Sequence, residues 1–229
     1  MSGFKNTGVP KNEGQHLQNV VKPAKFYGGP GKFGFKRASY LDETHSLATK
    51  ENKKRIDNSW NRYWDMGKEY LVEKSPPNLV RTRFLQYLYP ESIFITVMRH
   101  PIPVSLATQK WSKTTIHSLF KHWLICYNKY LSDARYLNQQ YLFKYEDFVN
   151  NPIKIMKDIS ALAGENITHD KSIKIKKNIN DKYFNKWENK YSASFFKQPY
   201  YQLLINEFQH KFKEFGYSLV GPEFCVSTD

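Results

Sequence analysis

The chain has 229 residues, enough for one domain with a full hydrophobic core. Its 35 Lys and Arg against 21 Asp and Glu give a net charge of +14, so acidic ligands, nucleic acid and anionic membrane surfaces are all admissible partners on charge alone. The two cysteines, Cys126 and Cys225, lack a pairing or metal-binding motif, which argues against a disulfide framework or a zinc knuckle, and no apolar run approaches the ~20 residues of a membrane span.

The first predicted elements surround a polar N-terminal region. Residues 1–48 are rich in Gly, Pro and polar side chains, and we expect an irregular segment with one short helix near residues 15–21. Thr49 is a candidate N-cap for a helix that continues to about residue 64, because Ile56, Trp60, Tyr63 and Trp64 share one face.

Short apolar runs then alternate with amphipathic stretches, which is typical of an α/β fold with a parallel sheet. The predicted strands cover residues 70–72, 93–98 and 141–143. The predicted helices cover residues 78–89, 103–111, 115–138, 152–163 and 200–215. The run at 93–98 is mostly apolar and β-branched, as expected of a strand covered on both faces. Residues 170–189 are basic and Asn-rich, and are predicted to form a loop.

Two of the predicted strands end in a cation just before a helix that starts with proline. These cations are Lys74 and Arg99. Open parallel sheets bind anionic ligands at the carboxyl ends of their strands, where helix N-termini supply donors and partial positive charge. We therefore expect a site for a multiply phosphorylated or sulfated molecule.

Five motifs follow one another along the chain: EKSP, RFLQYLYP, IFITVMRHP, KYEDF and KYFNKW. Their order and spacing resemble the sulfotransferases that use 3′-phosphoadenosine-5′-phosphosulfate, and most closely the branch related to tyrosylprotein and carbohydrate sulfotransferases. The resemblance extends from NTGVP near the start to FGYSL near the end. It implies an α/β, P-loop-like parallel sheet flanked by helices.

The expected organisation is a single sulfotransferase-like domain over residues 1–229. Residues 1–48 would form an irregular acceptor-side segment, residues 69–165 the α/β core, and residues 166–229 a basic loop with a C-terminal helix. The glycine-rich stretch 28–34 has no preceding apolar strand and no Ser or Thr after Lys32, so we expect a turn-rich loop there and not a phosphate-binding loop.

The resemblance also implies roles for the donor-binding residues. Arg99 matches the position that binds the 3′-phosphate, and a guanidinium fork can bind two phosphate oxygens at once. Lys74 matches the lysine that reaches the bridging oxygen and stabilises charge on the leaving group. Tyr145 matches a tyrosine that contacts the nucleotide, and Lys186 with Trp187 resembles the late loop that covers it. The alternatives are a capping role for Arg99 and a surface ion pair between Lys74 and Glu73.

The second 3′-phosphate ligand departs from the family pattern. The usual serine lies eight residues beyond the arginine, where this chain has Ala107. Ser105 and Thr108 flank that position, but helical geometry turns each side chain by about 100° per residue, so neither is an automatic substitute. Thr108 is the preferred candidate.

A base for the acceptor hydroxyl is expected in the stretch KNEGQHLQ. Glu13 is the candidate that the resemblance implies, with His16 as the second choice, and either group within hydrogen-bond reach contributes about 10²–10⁴-fold. The alternative for Glu13 is an ordinary exposed loop acid. The seven histidines show no metal-ligand spacing, and no metal is expected.

Family members open with a strand and a Gly-, Ser- and Thr-rich loop whose N–H groups hold the 5′-phosphosulfate. Met1 lies where the chain should already have passed the helix after that loop, so we expect an N-terminally incomplete fold. Three explanations stay open: an incomplete gene model, a second chain that supplies the loop, or a decayed paralogue.

The sequence therefore predicts a sulfotransferase that acts on a hydroxyl of a carbohydrate, a peptide tyrosine or a small metabolite. The alternative is a non-catalytic paralogue that binds nucleotides or polyanions. A nucleic-acid binder is disfavoured because no recognised motif accompanies the charge. The polar N-terminus lacks a secretion signal, so a cytoplasmic location is the default expectation.

Overall fold

A computed structural model describes residues 1–167 and 175–221. Cys225 and part of the predicted loop over 170–189 lie outside these residues. The chain forms two compact units: the first comprises Met1–Ser92 and Ile125–Asn138, and the second comprises Ile93–Leu124 and Gln139–Asp229.

The described elements form an α/β fold with parallel strand pairs, as predicted. The strands are β1 (Ser2–Gly3), β2 (Leu71–Val72), β3 (Phe94–Met98) and β4 (Gln140–Lys144). The α-helices are α1 (Lys50–Trp60), α2 (Thr82–Leu88), α3 (Pro101–Ser112), α4 (Ile116–Ala134), α5 (Tyr145–Asn150), α6 (Pro152–Ala163), α7 (Asp181–Trp187) and α8 (Gln198–Lys213). In the first unit β1 pairs with β2, and in the second unit β3 pairs with β4 in the register Phe94↔Gln140.

Local capping rules account for the helix starts. The Thr49 hydroxyl accepts a hydrogen bond from the backbone N–H of Asn52 at 3.1 Å, which confirms the predicted N-cap of α1. Asn151 caps α6 in the same way, with its side-chain oxygen 3.2 Å from the backbone nitrogen of Lys154. Helix α6 ends at Gly164, whose φ of 69° suits glycine because it has no Cβ.

Several expectations for the first unit were wrong. Residues 2–3 form a strand where we expected irregular chain. The helix near residues 15–21 is a single 3₁₀ turn at Gly14–His16, because the Gln18 side-chain oxygen accepts the N–H groups of Val20 and Val21 and holds them out of a helix.

The expected turn-rich loop at 28–34 is confirmed by three glycines with positive φ.

The hydrophobic core of the first unit is built around α1 and α2. Its buried members are Phe4, Val20, Val21, Leu41, Ile56, Trp60, Phe84 and Leu88. This core holds the irregular N-terminal segment against two helices, so residues far apart in the chain are kept in fixed positions.

Aromatic rings fill the core of the second unit. The buried rings of Phe120, Trp123, Phe208, Phe212 and Tyr217 come from α4, α8 and the residues after α8. Helix α7 lies within the stretch predicted to be loop, and the burial of Trp187 attaches it to this core.

Strand β3 is not covered on both faces in the described structure. Thr96 and Met98 are buried, but Ile95 and Val97 are 44% and 46% exposed. Alternate residues of a strand point to opposite faces, so β3 has one buried and one accessible face. The prediction of a doubly covered strand was wrong because an all-apolar run does not distinguish these two cases.

Candidate active site

Glu13 and Lys74 meet in the first unit, although 61 residues separate them. The Lys74 ammonium donates to Glu13 Oε1 at 2.8 Å; the Lys74 side chain is 63% exposed and that of Glu13 is 9% exposed. The exposed-acid alternative for Glu13 is therefore wrong. The ion pair between Lys74 and Glu73 is also not formed, because Lys74 turns to Glu13 instead.

Two neighbouring residues complete the surroundings of the Glu13 carboxylate. The Gln15 side-chain amide donates to Oε2 at 2.5 Å, and His16 Nε2 lies 4.0 Å from the same oxygen. The structure thus brings together all three residues predicted for catalysis, Glu13, His16 and Lys74. A buried carboxylate beside an accessible ammonium combines a proton acceptor with a positive charge.

Glu73 faces the opposite way from Lys74 and holds the segment that carries Glu13. Its Oε1 accepts the backbone N–H of Gly14 at 3.1 Å and the hydroxyl of Ser75 at 2.5 Å, while the Asn78 amide donates to Oε2. Burial raises the pKa of Glu73, and its hydrogen bonds together with the charge of Arg81 oppose that rise. Burial also lowers the pKa of Arg81 to about 10, an effect that the nearby Glu73 opposes.

The backbone next to Glu13 is fixed on several sides. The Trp60 indole donates to the carbonyl of Gly14 at 3.0 Å, and the N–H of Gln15 donates to Ser75 Oγ at 3.0 Å. A Cβ on Gly14 would lie 2.6 Å from Glu73 Cγ and 2.8 Å from a ring carbon of Phe4. Only glycine allows this close approach, and the approach positions Glu13 in front of Lys74.

A pocket of about 380 Å³ lies beside this cluster in the first unit. Its lining residues are Val9, Pro10, Gln15, His16, Gln18, Pro23 and Lys25. Gln15 and His16 line the pocket and also border the Glu13 carboxylate. A small hydroxyl compound in this pocket would therefore lie close to the candidate base.

Arg99 follows β3 in the second unit, and its guanidinium contacts Tyr145 as well as Asn180 and Tyr183, to which the sequence analysis assigned no role. Its Nε and Nη2 donate to Asn180 Oδ1 at 3.0 and 2.6 Å. The guanidinium carbon lies 4.6 Å from the centre of the Tyr145 ring and 5.8 Å from that of Tyr183. Arg99 and Tyr145, both predicted to bind the nucleotide, are thus in contact.

Glu146 ties these residues to the start of α3. Its Oε1 accepts the Asn180 amide at 2.8 Å and the backbone N–H of His100 at 3.2 Å, and its Oε2 accepts the Tyr217 hydroxyl at 3.1 Å. Glu146 therefore orders its surroundings, since both of its carboxylate oxygens accept hydrogen bonds. The buried His100 accepts the N–H of Ile102 through Nδ1, which caps α3 immediately after Arg99.

The remaining predicted donor ligands lie at different depths. Ser105 is buried, and its hydroxyl has no hydrogen-bond partner within the part of the chain that the structure describes. Thr108 is half-buried and Lys186 is exposed. Trp187 is a core residue whose indole donates to the carbonyl of Leu219 at 3.0 Å, so protein atoms cover its ring in this conformation.

Within residues 1–167 and 175–221, His, Cys, Asp and Glu form no group of three that could hold a metal ion. In the same ranges, no helix has the length and apolar character that a membrane crossing requires.

A family model described as Sulfotransferase family matches residues 12–170, about two thirds of the chain. Neither the curated proteins nor the solved structures include a match.

Proposed function

This chain belongs to the sulfotransferase family, and we propose that it moves a sulfuryl group from 3′-phosphoadenosine-5′-phosphosulfate to a hydroxyl acceptor. The acceptor is a carbohydrate, a peptide tyrosine or a small metabolite. In this reaction the acceptor oxygen bonds to sulfur, the bond from sulfur to the bridging oxygen breaks, and 3′-phosphoadenosine-5′-phosphate leaves.

The observation that carries this proposal is the 2.8 Å contact between Lys74 and Glu13. Glu13 would accept the hydroxyl proton as the acceptor oxygen attacks, and its burial keeps competing water away. Lys74 would stabilise the negative charge that develops on the bridging oxygen. The pair supplies both charges that the transfer needs, and His16 is the second candidate for the base.

Arg99 is proposed to bind the 3′-phosphate in the second unit. Its half-buried guanidinium stacks on Tyr145, an arrangement that suits a nucleotide phosphate beside an aromatic ring. Asn180 occupies Nε and Nη2, so a phosphate would bind through Nη1 or displace the Asn180 oxygen. Tyr145 and Lys186 would contact the nucleotide, with Thr108 as a further polar ligand and Ser105 as the weaker candidate.

Transfer from a radiolabelled donor to a panel of carbohydrate, tyrosyl-peptide and phenolic acceptors tests this function. We expect Glu13→Gln to lower the rate by about 10²–10⁴-fold and Lys74→Ala by about 10²–10³-fold. The matched control is Lys154→Ala, which removes a 2.8 Å ion pair with Asp158 from a lysine that is 65% exposed. Transfer that survives both site substitutions at the wild-type rate would overturn the assignment.

The alternative function is a nucleotide- or polyanion-binding domain without catalysis. It predicts that 3′-phosphoadenosine-5′-phosphate binds while no acceptor is sulfated, whatever residue occupies position 74. If the protein binds any polyanion in a salt-sensitive way and Arg99→Ala does not change this binding, there is no specific nucleotide site at Arg99.

A further inference from the structure

Two adjacent phenylalanines in the second unit have almost no protein cover. Phe195 and Phe196 are 87% and 93% exposed, more than any other large apolar side chain in the described ranges. They lie on the 3₁₀ turn Phe195–Lys197, directly before α8, and their ring centres are 5.8 Å apart in an edge-on arrangement. Single exposed apolar side chains are ordinary, but two rings in contact form a continuous apolar patch.

Buried aromatic residues fix the chain on both sides of this patch. Tyr191 precedes it and Tyr201 follows it, and both are buried. The Trp187 ring lies 5.1 Å from the Tyr191 ring and 5.5 Å from the Tyr201 ring. The segment that carries the two phenylalanines is thus attached to the aromatic core at both ends, while its two largest apolar side chains point away from it.

Two lysines lie close to Tyr191, the buried ring that precedes the patch. The ammonium groups of Lys190 and Lys197 lie 5.5 and 5.3 Å from the centre of the same Tyr191 ring. The pKa of Lys190 is lowered, first by burial and then by the positive charges of Lys197 and Lys186. Between positions 182 and 197 the chain has four lysines and one glutamate, so the stretch that leads to the phenylalanines carries an excess of positive charge.

We propose that Phe195 and Phe196, together with Lys190 and Lys197, dock the protein on the surface of an anionic lipid bilayer. The two rings enter the boundary between headgroups and acyl chains, and the ammonium groups stay at the level of the acidic headgroups. Exposed phenylalanine beside lysine is the pattern of interfacial membrane binding, in which apolar burial and attraction to anionic lipid act together. An acidic protein surface would satisfy the lysines but would leave two fully accessible rings without an apolar environment.

Co-sedimentation of the full chain with vesicles tests the proposal. We expect binding to phosphatidylcholine vesicles that contain phosphatidylserine, and weak binding to phosphatidylcholine alone. Replacing both phenylalanines by serine should lower the partition coefficient about a hundredfold, roughly tenfold for each ring. Replacing Lys190 and Lys197 by glutamine should lower it by at least about tenfold and flatten its dependence on salt.

The matched control is Ile153→Ser, because Ile153 is 79% exposed on α6 and lies outside the patch. This variant should bind vesicles as the wild type does, and Phe195→Trp with Phe196→Trp should retain binding because the apolar area is kept. Phe195, Phe196 and Ile153 are exposed, whereas Lys190 and Lys197 are half-buried. The urea unfolding midpoint of every variant is therefore measured, and a midpoint equal to that of the wild type shows that folding is intact.

Three outcomes would overturn the proposal. The first is no binding to anionic vesicles, and the second is equal binding by the wild type and the double serine variant. The third is a concentration-dependent dimer in sedimentation velocity that the double serine variant abolishes while vesicle binding persists, which would make the patch an interface between copies. None of these outcomes depends on sulfuryl transfer.

Discussion

Gly14→Ala tests how closely the N-terminal segment must approach Glu73. The added Cβ would lie 2.6 Å from Glu73 Cγ and 2.7 Å from Glu73 Oε1. The Glu73 side chain would have to retreat by about 0.8 Å before ordinary van der Waals contact is restored. Because the hydrogen bond from Gly14 to Glu73 is already 3.1 Å long, that retreat stretches it beyond hydrogen-bonding distance.

The size of the effect follows from this lost bond. A hydrogen bond to a charged group contributes about 1.5–3 kcal/mol, and overpacking a fixed site adds a cost of similar size. Alanine regains about 0.4–1 kcal/mol because it restricts the unfolded chain. We therefore expect Gly14→Ala to lower the free energy of unfolding by about 2–5 kcal/mol. We also expect it to reduce sulfuryl transfer, because loss of the hydrogen bond to Glu73 releases the backbone segment that positions Glu13 beside Lys74.

Urea unfolding followed by tryptophan fluorescence measures the change in stability. The control is Gly3→Ala, because a Cβ at Gly3 meets nothing within 4 Å and its stability should change by no more than about 0.5 kcal/mol. A Gly14→Ala protein that is as stable and as active as Gly3→Ala would refute the close-approach argument.

Two further predictions concern stability. Burial lowers the pKa of His122 to about 4. Between about pH 6.5 and 4 the unfolded chain therefore binds a proton that the folded chain does not. As the pH is lowered through this range, the free energy of unfolding decreases by up to about 1.4 kcal/mol per pH unit. In urea titrations between about pH 6.5 and 4, His122→Gln should lose this pH dependence of the free energy of unfolding, whereas His210→Gln, at an exposed histidine, should retain it. The same pH dependence in both variants would contradict the assignment to His122. Thr49→Ala should lower the free energy of unfolding by about 1 kcal/mol through loss of the α1 cap, whereas Thr49→Ser should not, and equal urea midpoints for the two would contradict the capping role.

Much of the secondary structure could be predicted because its signals are local. The Thr49 cap, the strand ending near Met98 and the helix between Asn151 and Gly164 all depend on a few adjacent residues. The helix over 181–187 was missed for the opposite reason. Its residues are mostly polar, and the burial of Trp187 in a distant aromatic core stabilises it.

The candidate site could be predicted only in part. The strand alternation through Leu71, Val72 and Glu73 already indicates that Glu73 turns inward and Lys74 outward. Glutamate is rarely buried, however, and we did not predict the burial of Glu73. Nothing local indicated that Lys74 would contact Glu13, because the sequence separation of 61 residues is closed only by folding.

Asn180 is the clearest residue that the sequence analysis missed. It lies 81 positions after Arg99 in an Asn-rich stretch, where no periodic or motif signal distinguishes one asparagine from another. Its selection depends on geometry, since its side-chain oxygen accepts two guanidinium nitrogens while its nitrogen donates to Glu146. Such double use of one amide is visible only in three dimensions.

The most direct measurement is the preference of the protein for a 3′-phosphate. Calorimetric titration would compare 3′-phosphoadenosine-5′-phosphate with adenosine 5′-phosphate, in the wild type and in Arg99→Lys. We predict that the wild type prefers the 3′-phosphorylated nucleotide by about tenfold to a hundredfold, and that Arg99→Lys loses most of this preference while its affinity for adenosine 5′-phosphate is unchanged. An equal preference in both proteins, or none in the wild type, would contradict the assignment of Arg99 to the donor nucleotide.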